Sequence, residues 1–167
     1  MLSDIGSVRI GLVLSMLTLM FGIGMGVLFG VNEEGVKGYI EQGIAANQER
    51  HDDKSASKIW RYAQRAHFHA TGVGAFALAM VILIAATPMS RALKQVTSIL
   101  IGVGSLYALA WFSMFWLAPA LGRHAAHDAL VTQLITKATV ACLSLGVLIL
   151  FIHLLTGVGS AAPTRSA

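Results

Sequence analysis

The stretch IGLVLSMLTLMFGIGMGVLFGVN, residues 10–32, contains no Asp, Glu, Lys or Arg. A helix needs about 20 mostly apolar residues to cross the roughly 30 Å hydrocarbon core of a bilayer, so this run reads as a transmembrane helix. Three more charge-free runs follow, at residues 66–90, 95–122 and 138–164. Together they predict four spans, over about 9–31, 67–87, 96–121 and 130–156. The fold class expected is all-α: an integral membrane four-helix bundle forming a single domain. Composition agrees, with 56% apolar and 12% charged residues and a mean hydropathy of +0.71, far from the soluble average of about 25% charged.

The first span is too long for the apolar region of a signal peptide. Val31-Asn32-Glu33-Glu34 also offers no small-residue cleavage site, so an uncleaved anchor is expected. Cys142, the single cysteine, falls inside the fourth span and implies no disulfide framework. The pI near 9.6 comes from the short connections and termini, because the 32–66 loop holds six basic and six acidic residues. Without a basic patch outside a membrane context, nucleic acid is not a partner expected for this chain. The lipid bilayer is.

Orientation rests on the flanking charges. A raw Lys/Arg count puts the 32–66 loop in the cytoplasm. Against that, Arg9 precedes the first span and Glu33-Glu34 follow it, and the compact turn 88–95 carries Arg91 and Lys94 with no acid. Arg165 and Asp4 lie on that same side. We therefore expect cytoplasmic termini and a multi-pass protein of a cell inner membrane.

The 32–66 loop is long for a plain connection. Val36, Tyr39, Ile40 and Ile44 recur at helical spacing, which predicts an amphipathic extramembrane helix lying on the bilayer surface. Ser55 is the expected N-cap of a helix starting near Ala56 and running into the second span. Trp60 and Tyr62, with Trp111, Phe112, Phe115 and Trp116 on the third span, suit the headgroup level. Pro88 stops the second span and Pro119 ends or kinks the third. The small, polar tail 158–167 is expected to be flexible.

Lipid cannot drive helices together hydrophobically, so small residues mark close contacts. Gly22, Gly26 and Gly30 form such a stripe, as do Ala70, Gly74 and Ala77, and Cys142 shares a face with Gly146. Tight packing within the bundle is the first reading. Homodimerisation or a membrane protein partner through Gly22, Gly26 and Gly30 is the second, and glycine alone does not separate them.

The chemistry-bearing residues are histidines. His67 and His69 point about 200° apart on a helix, so only one can face the bundle. His67 shares its face with Ala70, Thr71 and Gly74 and is the better ligand; His69 sits with Gly72, Phe76 and Met80, a face suited to lipid, headgroups or an aromatic neighbour. His124 and His127 project within about 60° of each other, and neutral imidazole suits Zn, Cu, Fe and Ni. His51, beside Asp52 and Asp53, is the nearest loop candidate for a further metal ligand. The bland alternative for the pair is a solvated turn next to Arg123. His153 stands near the opposite membrane face without a partner, which leaves room for at most one bis-His haem b, between His67 and His124 or His127.

Depth limits that pairing. With Thr87 and Thr156 taken as level, His67 stands twenty residues up and His127 twenty-nine, an offset of about 13 Å at 1.5 Å per residue. Lys137 is nearly level with His67; it either snorkels to the interface or meets an anionic group such as a haem propionate. Met16 and Met20 are one turn apart, but the scattered methionines read as packing rather than a copper conduit.

The strings Met20 to Gly26, Trp60-Arg61-Tyr62 and His67-Phe68-His69-Ala70-Thr71-Gly72 resemble those of small, uncharacterised bacterial four-helix inner-membrane proteins with a His-Phe-His-x-x-Gly motif. The resemblance covers the first two spans and implies a fold and a compartment, not an activity. No acidic residue lies within any span, which argues against a proton- or cation-coupled pump. Three functions follow in order: a non-enzymatic membrane protein binding haem b or a transition metal at its outer face; a structural or assembly subunit without cofactor; and a carrier or membrane enzyme.

Overall fold

A computed structural model describes residues 5–161. The elements are α1 (Ile5–Ala46), a 3-10 turn (Gln48–Arg50), α2 (Ser55–Ala86), α3 (Arg91–Ser105), α4 (Ala108–Leu121), α5 (Arg123–Asp128) and α6 (Leu130–Thr156). Four helical stretches are long and apolar enough to cross a membrane: α1, α2, α3 with α4, and α6. The outward surface fits that reading. Val31 is 78% exposed, Leu130 74%, and Met20 and Phe68 62% each, the apolar exposure expected of a surface in contact with lipid.

Beyond the expected end of the first span the helix does not stop. Asn32, with φ −149° and ψ 43°, breaks the helical geometry for one residue, and α1 then continues to Ala46. The predicted surface helix is therefore the kinked outer arm of α1. Val36 and Ile40 are buried against Ile59, Ala63, Phe115 and Ala118, so this apolar stripe is covered by protein rather than laid on lipid. At the start of α2, Ser55 bonds Asp52 reciprocally instead of capping its own helix: its hydroxyl donates to Asp52 Oδ1 at 2.7 Å and accepts from the Asp52 amide at 3.1 Å.

The third span is discontinuous. A turn at Leu106 and Tyr107 separates α3 from α4, and there Ser105 Oγ donates to the Gly102 carbonyl at 2.6 Å and shares a hydrogen bond of 2.9 Å with Thr18 Oγ1. Polar side chains satisfy each other because bilayer and core offer no water. Pro88 lies past the end of α2 as expected, and Pro119 sits two residues before the end of α4.

Glycines set the helix spacing. Gly11 of α1 meets Ser98 and Gly102 of α3, and Gly104 and Gly146 bring α3 and α6 together. The stripe on α1 is divided. Gly22 packs on Ala70 and Thr71 of α2, and Gly26 packs on the His67 ring, while nothing lies within 4 Å of a Cβ built on Gly30. A homodimer through all three glycines would have to displace α2. Two cores result, an outer one around Ile40, Ile59 and Ala63 and an inner one around Val8, Val81 and Ile101.

The tail differs from expectation. Met89 and Ser160 form a bridge, the Ser90 amide donates to the Gly159 carbonyl at 2.8 Å, and the Ala161 amide donates to the Pro88 carbonyl at 2.9 Å. His153, 3% exposed, donates from Nδ1 to the Val158 carbonyl at 2.8 Å. Backbone pairing with the 88–90 turn thus pins residues 158–161. Asp4, Arg165 and the rest of the tail lie outside the described residues.

Candidate functional site

His67 faces the bundle, as its helical neighbours predict. Its Nδ1 donates to the Gly22 carbonyl at 2.8 Å, and Phe29 meets its ring edge-on at 6.0 Å. A Cβ at Gly26 would lie 2.8 Å from its Cε1, so the ring occupies the notch that this glycine leaves. His67 is thus built into the α1–α2 contact: Nδ1 is held by the Gly22 carbonyl, which fixes the ring and leaves Nε2 as its one ligand atom.

His69 turns the other way. Its Nδ1 donates to the carbonyl of Arg65 one turn back at 2.8 Å, and its ring lies 5.4 Å from Tyr107 and 5.6 Å from Trp111. The Arg65 guanidinium covers the same Trp111 ring at 4.7 Å. The aromatic neighbour foreseen for His69 is therefore α4.

The second histidine pair sits elsewhere. His124 and His127 are both exposed on the short α5, and His127 Nδ1 lies 2.8 Å from Asp128 Oδ1. His51 takes part through Nε2 in a cap on α4, and its buried Nδ1 has no hydrogen-bond partner among the described residues. The last carbonyls of a helix lack intrahelical donors, and three side chains supply them here. His51 Nε2 donates to Pro119 at 3.0 Å, Arg50 to Ala120 at 2.9 Å and Asn47 to Pro119 at 3.5 Å. Gly122 then turns the chain at φ +81°, a conformation that favours glycine.

His51 and His124 do share one feature, a polar cavity of about 280 Å³ also lined by Glu49, Arg50, Asp52 and Arg123. Arg123 pairs with Asp52 at 2.9 Å. The Ser55 hydroxyl, and then the Arg123 charge, hold the Asp52 carboxyl below its ordinary value of 3.8. Among the described residues no three His, Cys, Asp or Glu side chains converge in a group that could hold a metal ion. A metal ion in this cavity would have to draw on His51, His124, Glu49 and Asp52, which line it without three of them converging. Lys137 is exposed on α6 and has no hydrogen bond or ion pair among the described residues, as a snorkelling lysine would.

Sequence reasoning missed an apolar cavity on the flank of the bundle. Where α1 kinks away from α4, a lateral groove of about 560 Å³ opens, lined among others by Phe21, Gly24, Phe29, Asn32, Phe112 and Trp116. That volume falls in the roughly 300–1,000 Å³ range of ligand sites. Gly24 and Leu28 on its floor are exposed, so the groove is open to whatever surrounds the bundle. At its outer end the Tyr39 hydroxyl donates to the Trp116 carbonyl at 2.7 Å, tying the α1 arm to α4. The only signal in the sequence was Asn32, a poor helix former between an apolar run and two acids.

No family model matches the chain, and neither a curated protein nor a solved structure matches it.

Proposed function

We propose that this protein is a non-enzymatic multi-pass membrane protein that holds a lipid-derived apolar chain in the lateral groove between α1 and α4. One observation carries the reading: a cavity of about 560 Å³ with an almost wholly apolar lining, open along the flank of a membrane bundle. Apolar ligand sites are concave, mostly apolar and fitted with a few polar groups, and Asn32 and Tyr39 are the polar groups here. Two of the histidines nominated as ligands, His67 and His51, each donate one ring nitrogen to a backbone carbonyl.

Gly24 provides the test, because a Cβ built there meets nothing within 4 Å. Gly24→Phe places a ring in the groove from a position whose Cβ is unobstructed. In mass spectrometry of gently solubilised protein, the wild type is expected to carry about one lipid-derived molecule per chain, and Gly24→Phe to lose it at unchanged thermal stability. Equal occupancy in both proteins, or none in the wild type, refutes the reading.

An inner membrane with both termini in the cytoplasm belongs to the same proposal. Its support is Arg9, Arg91 and Lys94 on the terminal side, opposite a charge-balanced 32–66 segment. Gln48 is exposed beyond the outer arm of α1. Gln48→Cys is expected to react with a membrane-impermeant maleimide in cells whose inner membrane is intact. Labelling only after that membrane is permeabilised would reverse the topology.

A further inference from the structure

The groove has a definite chemistry at its mouth. None of the residues lining it is charged, and Asn32, the one amide among them, is exposed and has no side-chain hydrogen bond among the described residues. Glu33 and Glu34 follow it directly. The nearby cation, Lys37, is committed to those acids, with Nζ 2.7 Å from Glu33 and 3.5 Å from Glu34. With no charged residue on the lining and the nearby Lys37 paired to these acids, a phosphate-bearing head would find no cation to neutralise it in the groove.

The outer wall is built of flat rings. Tyr39 stacks on Trp116 at 5.3 Å with 22° between planes, and Trp116 stacks on Phe112 at 6.3 Å with 26°. Such faces favour another planar ring in offset stacking. The Asn32 amide can donate two hydrogen bonds and accept others, so it can serve a ring carbonyl or a ring hydroxyl alike. From Phe21 to Asn32 the helix rises about 16 Å, close to half of the roughly 30 Å hydrocarbon thickness. The groove therefore has the depth of one leaflet.

We infer that the occupant is an uncharged amphiphile with a planar ring head and an apolar tail, the chemistry of a prenylated quinone. Its head lies beside Asn32 and the Tyr39–Trp116 stack, and its tail runs inward to Phe21. This rests on the reading of the groove as a site for a lipid-derived chain and narrows it from any lipid to one class.

The test uses the full chain in nanodiscs of zwitterionic lipid, with a decyl-substituted benzoquinone as probe and decyl phosphate as its anionic counterpart. Saturable quinone binding is expected, with decyl phosphate a poor competitor. Asn32→Leu should weaken quinone binding by about tenfold, the loss expected for one good hydrogen bond, and Gly24→Phe should abolish it. Should Asn32→Leu fold poorly, Asn32→Asp keeps the size but loses the donor: it should weaken the quinone and spare the corresponding quinol. Decyl phosphate competing as well as the quinone, or both Asn32 variants binding the quinone like wild type, overturns the inference. If no quinone binds while Gly24→Phe still strips a lipid-derived molecule from the protein, the ring-head assignment falls and the groove reading survives.

Discussion

Gly11→Val is expected to destabilise the bundle by about 3 kcal/mol or more, the upper range for forced overpacking. A Cβ at Gly11 would overlap the Ser98 carbonyl oxygen and lie 2.7 Å from the Ser98 carbonyl carbon. Both are backbone atoms, so no side-chain rotation relieves the clash, and α1 and α3 must separate. The same crossing places Gly102 2.9 Å from Gly11 Cα when given a Cβ, so shifting α3 along its axis offers no escape. The control is Gly72→Ala, at an exposed helical glycine whose Cβ meets nothing within 4 Å. It should be neutral or stabilising by up to about 1 kcal/mol through helix propensity. Reversible unfolding in detergent measures both. Wild-type stability in Gly11→Val would mean that α1 and α3 do not cross as described.

His67→Ala is expected to cost about 2–3 kcal/mol, most of it from the gap left over Gly26 and a smaller part from the lost interhelical hydrogen bond, which averages about 0.6 kcal/mol in membrane bundles. Because the ring fills the Gly26 notch, the two positions should be coupled. Gly26→Ala alone presses a methyl against the ring, whereas Gly26→Ala in the His67→Ala background partly refills the gap. A double-mutant cycle should therefore show a non-additive, compensating term. The alternative role predicts a different outcome. If His67 is a haem or metal ligand, its replacement abolishes a Soret band or the bound metal while the cycle stays additive, and replacing His124 with His127 or His51 reduces the same signal. Compensation at Gly26 with no change in bound haem or metal leaves His67 as a strut between helices.

Much of this was legible from residue order. The charge-free runs located four spans, Pro88 marked the end of α2, and the Ala70–Gly74–Ala77 stripe predicted the face that α2 buries. Helical spacing also separated His67 from His69 correctly, because 100° per residue is a local property that neighbours rarely override. The outer arm of α1 was read as helical, but its partner was not. Periodicity shows that Val36 and Ile40 share a face, not whether lipid or protein covers it. The start of the tail shows a similar limit: small polar residues carry no local order, and residues 158–161 pair with the 88–90 turn.

The candidate site shows the same division more sharply. His51 looked only like a spare metal ligand beside two aspartates, and the fold also uses its Nε2 to cap α4 at Pro119. That role depends on where α4 ends relative to a loop about seventy residues earlier, which no local pattern encodes. The groove is harder still to foresee. It exists because one residue, Asn32, leaves the helical region and tilts the arm of α1, while the inner part of α1 stays glycine-locked to α2 and α3.

Membrane residence, span number and the inward face of α2 came from the sequence alone, because hydropathy and helical period act through a residue's own chemistry and its nearest neighbours. Which histidine meets which carbonyl, which glycines are already occupied, and where the bundle leaves an open aromatic groove were decided only by tertiary structure. These depend on the relative placement of helices, which is settled by backbone contacts between residues far apart in the chain.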